Sequence, residues 1–285
     1  DLAYQYAVNI SESSPFHKKM NTLLALKNIP RPTIICLSRI ILTLGKSENY
    51  SILTNLSENQ FFFPKFCALI EFNSVYETLL TLATNDHHSI ITFFEDLNAT
   101  LVIFNLAEQS QPSSQCKYFL ILAEIISKAD KESSLIHSIA DSAHIPKIFE
   151  FCIHGQTSQV QYAAFSLFIN ICIKNSQEPD SYSSEDEVIV SNAGIDFALE
   201  HIEDICKYVS MMQVFESCTE KAIELLILLL KTKKEITEPF IYESVNHLLD
   251  KFFDNHYQSK LHISCLNLVT AVCLTSSSVS NLNLK

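Results

Sequence analysis

The chain has 285 residues, of which 47% are hydrophobic, with only three Gly, eight Pro and no Trp. Because Gly and Pro punctuate strands and hairpins, this composition predicts a helix-rich protein and disfavours an all-β fold. The net charge of −12 argues against nucleic acid as a partner, since phosphate contacts need clustered Lys and Arg.

The N-terminal segment, residues 1–10 (DLAYQYAVNI), lacks Met and the basic, apolar and small-residue order of a signal peptide. We therefore expect the chain to be a fragment of a longer protein. The most apolar run, residues 222–230, still contains Glu224 and has about half the length that a membrane span requires. No transmembrane helix is expected.

Six apolar helical segments recur along the chain. Their last apolar positions fall 40 to 57 residues apart, and the predicted long helices are 32–45, 74–85, 113–127, 158–174, 215–231 and 258–274. Such a period is typical of helical solenoids, whose units bury their apolar faces by stacking on their neighbours. The pattern predicts an extended surface that is suited to holding another macromolecule.

The clearest repeat runs over residues 142–176, where two amphipathic helices follow each other. The first has apolar residues at helical spacing, which are Ile145, Ile148, Phe149 and Cys152. The second is apolar over a wider arc, comprising Val160, Ala163, Ala164, Leu167, Phe168 and Ile171. Pro146 fits the first turn of the first helix, Gly155 its end, and Thr157 and Ser158 the cap of the next.

This unit resembles an armadillo repeat, in His144-Ile145-Pro146 at the second-helix opening and in Val160-Gln161 with Ala163-Ala164-Phe165 on the third helix. Similar openings stand at Phe63-Pro64 and at Ala193-Gly194-Ile195-Asp196. The resemblance implies an all-α fold, a right-handed superhelical array of about five to six armadillo-like repeats in a single domain over residues 1–285. HEAT repeats, with two helices and a similar period, are the alternative.

In such an array the third helices line a concave groove. Polar residues on these helices are the candidate partner-binding positions, namely Thr81, Glu124, Asn170, Glu224 and Thr270. The matching positions on the two remaining long helices are Ile41 and Ile227. The first hypothesis is a non-catalytic scaffold or regulatory subunit that binds other proteins or peptides. The alternative is a transport adaptor of the nuclear-import type, in which Glu77, Glu124, Glu220 and Glu224 attract basic segments.

Catalytic and cofactor motifs are missing from the sequence. It contains no phosphate-binding glycine loop, nucleophile elbow, zinc-protease helix or calcium-binding loop, so we expect no enzyme activity, catalytic residue, cofactor or metal. An enzyme with an unfamiliar site stays open as a third hypothesis. His87 and His88 are expected at a helix N-terminus, and Cys265 as a core thiol beside His262. Nine Cys without CxxC pairs indicate buried thiols and a reducing compartment, the cytoplasm or nucleus.

Residues 175–187 (NSQEPDSYSSEDE) interrupt the repeats with a polar, acidic segment that predicts a solvent loop. Ser183 and Ser184 each have an acidic residue three positions on, a pattern typical of acidophilic kinase sites. Exposed end repeats within residues 1–30 and 256–285 would favour self-association.

Overall fold

A computed structural model of the chain describes residues 14–26, 28–45, 61–175, 192–211, 216–254 and 259–275. Within these ranges all regular structure is α-helical, which confirms the all-α prediction. The helices are α1 (Ser14–Leu24), α2 (Arg31–Gly45), α3 (Phe62–Cys67), α4 (Asn73–Ala83), α5 (His88–Asp96), α6 (Ala99–Glu108), α7 (Pro112–Lys128), α8 (Ser134–His137), α9 (Ile145–His154), α10 (Ser158–Asn175), α11 (Ala193–Glu200), α12 (Ile202–Met211), α13 (Ser217–Thr232), α14 (Lys234–Asp254) and α15 (Ser259–Thr275).

The chain divides into two compact units, Asp1–Ile139 and Ala140–Lys285. In unit 1, the long helices α2, α4 and α7 pack side by side in chain order. A second row, α1, α3 and α6, packs in the same order, and α6 lies against α7. The short helices α5 and α8 contact each other and α6.

Unit 2 has the same arrangement of rows. Its long helices α10, α13 and α15 pack side by side, while α9, α12 and α14 form the second row. The short helix α11 contacts α9, α10 and α13. In each unit, therefore, successive long helices are neighbours. The expectation of one repeat domain over the whole chain stays a prediction.

Helices α9 and α10 follow the local signals in their sequence. The four apolar residues of α9 at helical spacing are all buried, and Pro146 lies in its first turn, where a missing N–H costs no hydrogen bond. Gly155 follows the last residue of α9, and a Cβ there would approach the Phe151 carbonyl oxygen to 2.5 Å. Thr157 Oγ1 then accepts a hydrogen bond from the Val160 N–H and caps α10.

The six predicted long helices agree with α2, α4, α7, α10, α13 and α15 to within two residues at each end. One helix assignment is wrong. Ala193-Gly194-Ile195-Asp196 opens the short α11, and a separate helix, α12, occupies the second row because the chain breaks at His201. The predicted loop begins at the last residue of α10, Asn175, and the rest of it lies outside the described residues, as do Ser183 and Ser184.

Within the described residues, no single helix combines the length and apolar character needed to cross a membrane. Helices α5 and α6 reach that length and composition only when taken together, and they are bent by 60° at their junction.

Candidate partner-binding surface

Each long helix in the middle of a row buries most of its circumference and leaves one accessible stripe. On α7 the accessible or half-buried positions include Ser113, Cys116, Leu120, Glu124 and Ser127, which recur at three- and four-residue steps. The residues between them pack against α4 and α6. The stripe is therefore the main part of α7 that a partner can reach.

The burial patterns of successive long helices superimpose, and this fixes which residues are equivalent. Phe119, Leu122 and Ile126 of α7 match Phe165, Phe168 and Cys172 of α10 in sequence order and are all fully buried. On this register Glu124 of α7 is equivalent to Asn170 of α10 and to Thr81 of α4, as the sequence predicted.

The same register corrects two predicted positions. On α2 the equivalent of Thr81 is Ile40, which is 42% exposed, whereas Ile41 is 2% exposed and belongs to the core. On α13 the equivalent of Asn170 is Leu228 and not Ile227, because that shift matches the exposed Glu224 to the half-buried Ser166, whereas the unshifted register would match it to the fully buried Leu167. Uneven connections between repeats shift the helix register by one residue, which spacing alone does not reveal.

In unit 1, Thr81 and Glu124 occupy equivalent positions on the adjacent helices α4 and α7. Thr81 is exposed, and its hydroxyl donates to the Glu77 carbonyl oxygen at 2.7 Å within α4. Glu124 is half-buried. Burial raises the pKa of Tyr76, with smaller contributions from Cys116 and Glu124, and Lys117 Nζ of α7 lies 5.4 Å from the centre of the Tyr76 ring.

In unit 2, three residues occupy equivalent positions on neighbouring long helices: Asn170 on α10, Leu228 on α13 and Thr270 on α15. Asn170 is half-buried and Thr270 is exposed. Glu224 lies one turn earlier on α13, at the level of Ser166 and Leu266, and its Oε2 accepts from Lys221 Nζ at 2.6 Å. This ion pair partly neutralises the Glu224 carboxylate.

Two large apolar side chains on α15 are exposed, which the sequence did not predict. Ile263 and Leu266 are 58% and 57% exposed, on the accessible stripe of that helix. The apolar run of residues 259–275 looks like any buried helix in sequence, so no periodicity marks these two as exposed. They make the stripe of α15 more apolar than those of α10 and α13.

The cysteines differ in their exposure to solvent. No disulfide joins the nine cysteines, six of which are buried, while Cys116 is half-buried and Cys36 and Cys273 are exposed. The expectation of buried thiols therefore fails at the last three positions. Burial raises the pKa of Cys67, Cys152 and Cys172, and that of Cys265 to about 11. Such thiols are poor nucleophiles near neutral pH, because the thiolate is the reacting form.

The predicted roles of two His residues are confirmed. His87 precedes α5, where its Nδ1 accepts from the Ser89 N–H at 3.3 Å, and His88 is the first residue of that helix. Cys265 is buried and its thiol donates to the Leu248 carbonyl oxygen at 3.5 Å. In the part of the chain that the structure describes, no three His, Cys, Asp or Glu side chains are grouped as metal ligands.

Comparison with known proteins adds a likeness in fold. No family model and no curated protein matches the sequence. Among solved structures, the crystal structure of an engineered protein is similar, with a TM-score of 0.56 and 17% sequence identity over 90% of this chain and 98% of that chain. At this identity the likeness supports the helical fold and carries no function.

Proposed function

We propose that this protein is an armadillo-like (ARM/HEAT) repeat scaffold, a right-handed superhelical array that binds a protein or peptide along the accessible stripes of its long helices. The observation that carries the proposal is the shared register of those stripes. Equivalent positions offer hydrogen-bonding groups, Thr81 and Glu124 on the adjacent helices α4 and α7, and Asn170 and Thr270 on α10 and α15, the two helices that flank α13. A long segment of another protein meets such a row one helix at a time.

Helix grouping favours the armadillo type over most of the chain. Three long helices are each preceded by two shorter ones: α7 by α5 and α6, α10 by α8 and α9, and α13 by α11 and α12. By contrast, α14 and α15 form a two-helix group of the HEAT kind. We infer a mixed array with a non-catalytic role as a regulatory or adaptor subunit in the cytoplasm or nucleus, where thiols stay reduced.

The experiment is affinity capture from cell lysate with the parent chain and the double variant Glu124→Lys/Asn170→Ala. Glu150→Lys is the matched control, because Glu150 is an exposed carboxylate on α9, in the second row. We expect the double variant to lose a partner that the parent and Glu150→Lys both retain. Equal recovery with all three proteins would place binding elsewhere and reject the stripes.

The second candidate is an adaptor for basic segments. Its specific support is that Glu77, Glu124, Glu220 and Glu224 all lie on accessible stripes, exposed or half-buried. Attraction between exposed charges is screened by salt. The same capture at low and at high salt separates the two: loss of the partner at high salt favours the adaptor, and retention favours the general scaffold.

A further inference from the structure

The first two helices are positively charged, although the chain as a whole is strongly acidic. Residues 14–45, from the start of α1 to the end of α2, contain no Asp or Glu, whereas the whole chain has a net charge of −12. The cations in this stretch are Lys18, Lys19, Lys27, Arg31 and Arg39. This end of unit 1 is therefore opposite in charge to most of the protein.

Both Arg residues of the chain lie on the exposed side of α2. Arg31 and Arg39 are eight residues apart, which places them about 12 Å apart along the helix axis and about 80° apart around it. Within the described residues, the ion pairs join side chains of residues 141–224, and neither Arg takes part in one. Two cationic side chains thus share one side of α2 without a carboxylate from the described part of the chain.

The packing of α2 against α4 does not use these Arg side chains. Ser38 Oγ donates to Ser74 Oγ at 3.4 Å, and Thr78 Oγ1 lies 3.3 Å from the Ser38 carbonyl oxygen. The apolar residues of α2 that face the core, Ile34, Leu37 and Ile41, are buried. Hydroxyl groups and apolar side chains therefore hold α2 in place, and the two guanidinium groups remain available to a partner.

The chemistry of this surface matches an acidic protein segment. A guanidinium group binds a carboxylate through two parallel hydrogen bonds, which an ammonium group cannot do. Ile40, next to Arg39, is 42% exposed and offers an apolar contact. A phosphate backbone would be repelled by the net charge of −12, and one exposed Ile on α2 is not the apolar face that membrane-binding helices present.

We propose that α2 binds an acidic segment of a partner protein, in which carboxylates pair with Arg31 and Arg39 and an apolar side chain contacts Ile40. This inference rests on the proposed function, that the long helices bind a protein or peptide, and it adds the chemistry of that partner. Charge on the accessible surface of unit 1 changes sign from α2 to Glu77 on α4 and Glu124 on α7. A partner that follows this row is therefore acidic where it meets α2, which fixes its direction of binding.

Peptide binding to the whole chain tests the proposal. The probe is a short fluorescein-labelled peptide rich in Glu with one Leu, and its counterpart has Gln in place of every Glu. Fluorescence anisotropy at low salt should show binding of the Glu peptide, and the Gln peptide should bind at least about tenfold more weakly. Arg31→Gln/Arg39→Gln should weaken binding of the Glu peptide about tenfold, because it removes two exposed ion pairs.

The matched control is Lys131→Gln/Lys207→Gln, which removes the same net charge at two exposed positions outside α1 and α2. It should change the affinity by less than about twofold. Equal weakening by the two double variants would show general attraction between charges and overturn the proposal, as would failure of the parent to bind the Glu peptide. Tighter binding of anionic vesicles or duplex DNA, lost in the Arg variant, would assign α2 to another class of ligand and reject the acidic segment.

Failure of this inference is distinguishable from failure of the proposed function. Glu124→Lys/Asn170→Ala leaves α2 unchanged and tests the stripes of α7 and α10. If that variant loses its partner from lysate while the parent does not bind the Glu peptide, the stripes remain supported and only the acidic segment is rejected.

Discussion

Helices α7 and α10 occupy the same register in their respective units, yet they attach to their neighbours by different chemistry. Lys117 Nζ donates to the Ile70 carbonyl oxygen at 3.2 Å, and Tyr118 donates its hydroxyl hydrogen to the Cys67 carbonyl oxygen at 2.8 Å. The equivalent residues of α10 are Ala163 and Ala164, both fully buried. Unit 1 thus uses polar side chains where unit 2 uses close apolar packing.

The short helix α3 explains the difference. It ends at Cys67, and the turn that follows leaves carbonyl groups near the start of α7. Tyr118 adds a second hydrogen bond to the Cys67 carbonyl, which also accepts the Ile70 N–H, and Lys117 supplies a donor to the Ile70 carbonyl. Equivalent positions on α7 and α10 therefore face a neighbouring helix in both units. The length of that neighbouring helix determines whether the side chains at those positions are polar or apolar.

The largest expected effect lies in the apolar packing of unit 2. Leu167→Asp places a charge at a position that is 0% exposed and should lower the free energy of unfolding by about 4 kcal/mol or more. The neighbouring Ser166→Asp is the control, because Ser166 lies on the accessible stripe and should cost less than about 1 kcal/mol. Chemical denaturation followed by circular dichroism measures both. Similar losses for the two variants would contradict the assigned stripe.

The polar attachment of unit 1 is tested by Tyr118→Phe. This change keeps the ring and removes the hydrogen bond from the Tyr118 hydroxyl, so the Cys67 carbonyl keeps only the Ile70 N–H as a donor and stability should fall by about 1 kcal/mol. Tyr162→Phe, at a half-buried position on the stripe of α10, is the matched control and should have a smaller effect. If denaturation shows no loss for Tyr118→Phe, the buried hydrogen bond does not distinguish α7 from α10.

A smaller effect of opposite sign is expected at Thr219. Thr219→Val keeps the shape of the side chain and removes the unpartnered hydroxyl, so the protein should be more stable by about 1 kcal/mol. A midpoint of thermal unfolding higher than that of the parent protein would show this gain in stability. Destabilisation would mean that the hydroxyl has a partner in solution, such as an ordered water molecule.

The smallest effect concerns the exposed turn before α9. Asp141 Oδ1 accepts hydrogen bonds from the Ala143 and His144 N–H groups at 3.0 and 2.8 Å. Although desolvation opposes it, these bonds and the His144 ring hold the pKa of Asp141 below its usual value of 3.8. A carboxyl whose folded-state pKa is depressed stabilises the protein above its ordinary pKa and loses that contribution as pH falls.

We therefore expect Asp141→Ala to be less stable than the parent at neutral pH, with the difference shrinking as pH drops below about 4. Urea denaturation across that range measures it. A difference that is independent of pH would assign the effect to lost packing, and the carboxylate would have no part in it.

Much of the fold could be predicted because it depends on local periodicity. Apolar residues at helical spacing define α9 and α10, and Pro146 and Gly155 mark the start and end of α9 through their own backbone chemistry. The break at His201 was missed, since residues 193–211 continue an apolar helical pattern on both sides of it.

The candidate surface was predictable only in part. Glu124, Asn170 and Thr270 were placed on accessible stripes from spacing, whereas Ile41 proved to be buried and Ile40 exposed. A helix advances 100° per residue, so an error of one residue moves a side chain from the stripe to the core. The hydrogen bonds from Gln115 to the Ala107 carbonyl and from Gln161 to the Ile153 carbonyl were likewise unpredicted, because polar residues within an apolar helix do not reveal their acceptors.

The sequence by itself determined that this protein is helical and where its long helices begin and end, because those properties arise from interactions within a few residues. The tertiary structure was needed to show that Tyr118 reaches Cys67, that Thr219 Oγ1 makes no hydrogen bond, and that Ile40 is equivalent to Thr81 within unit 1 and Leu228 to Asn170 within unit 2. Those relations join residues far apart in the chain, and the lengths of the intervening helices and turns set them.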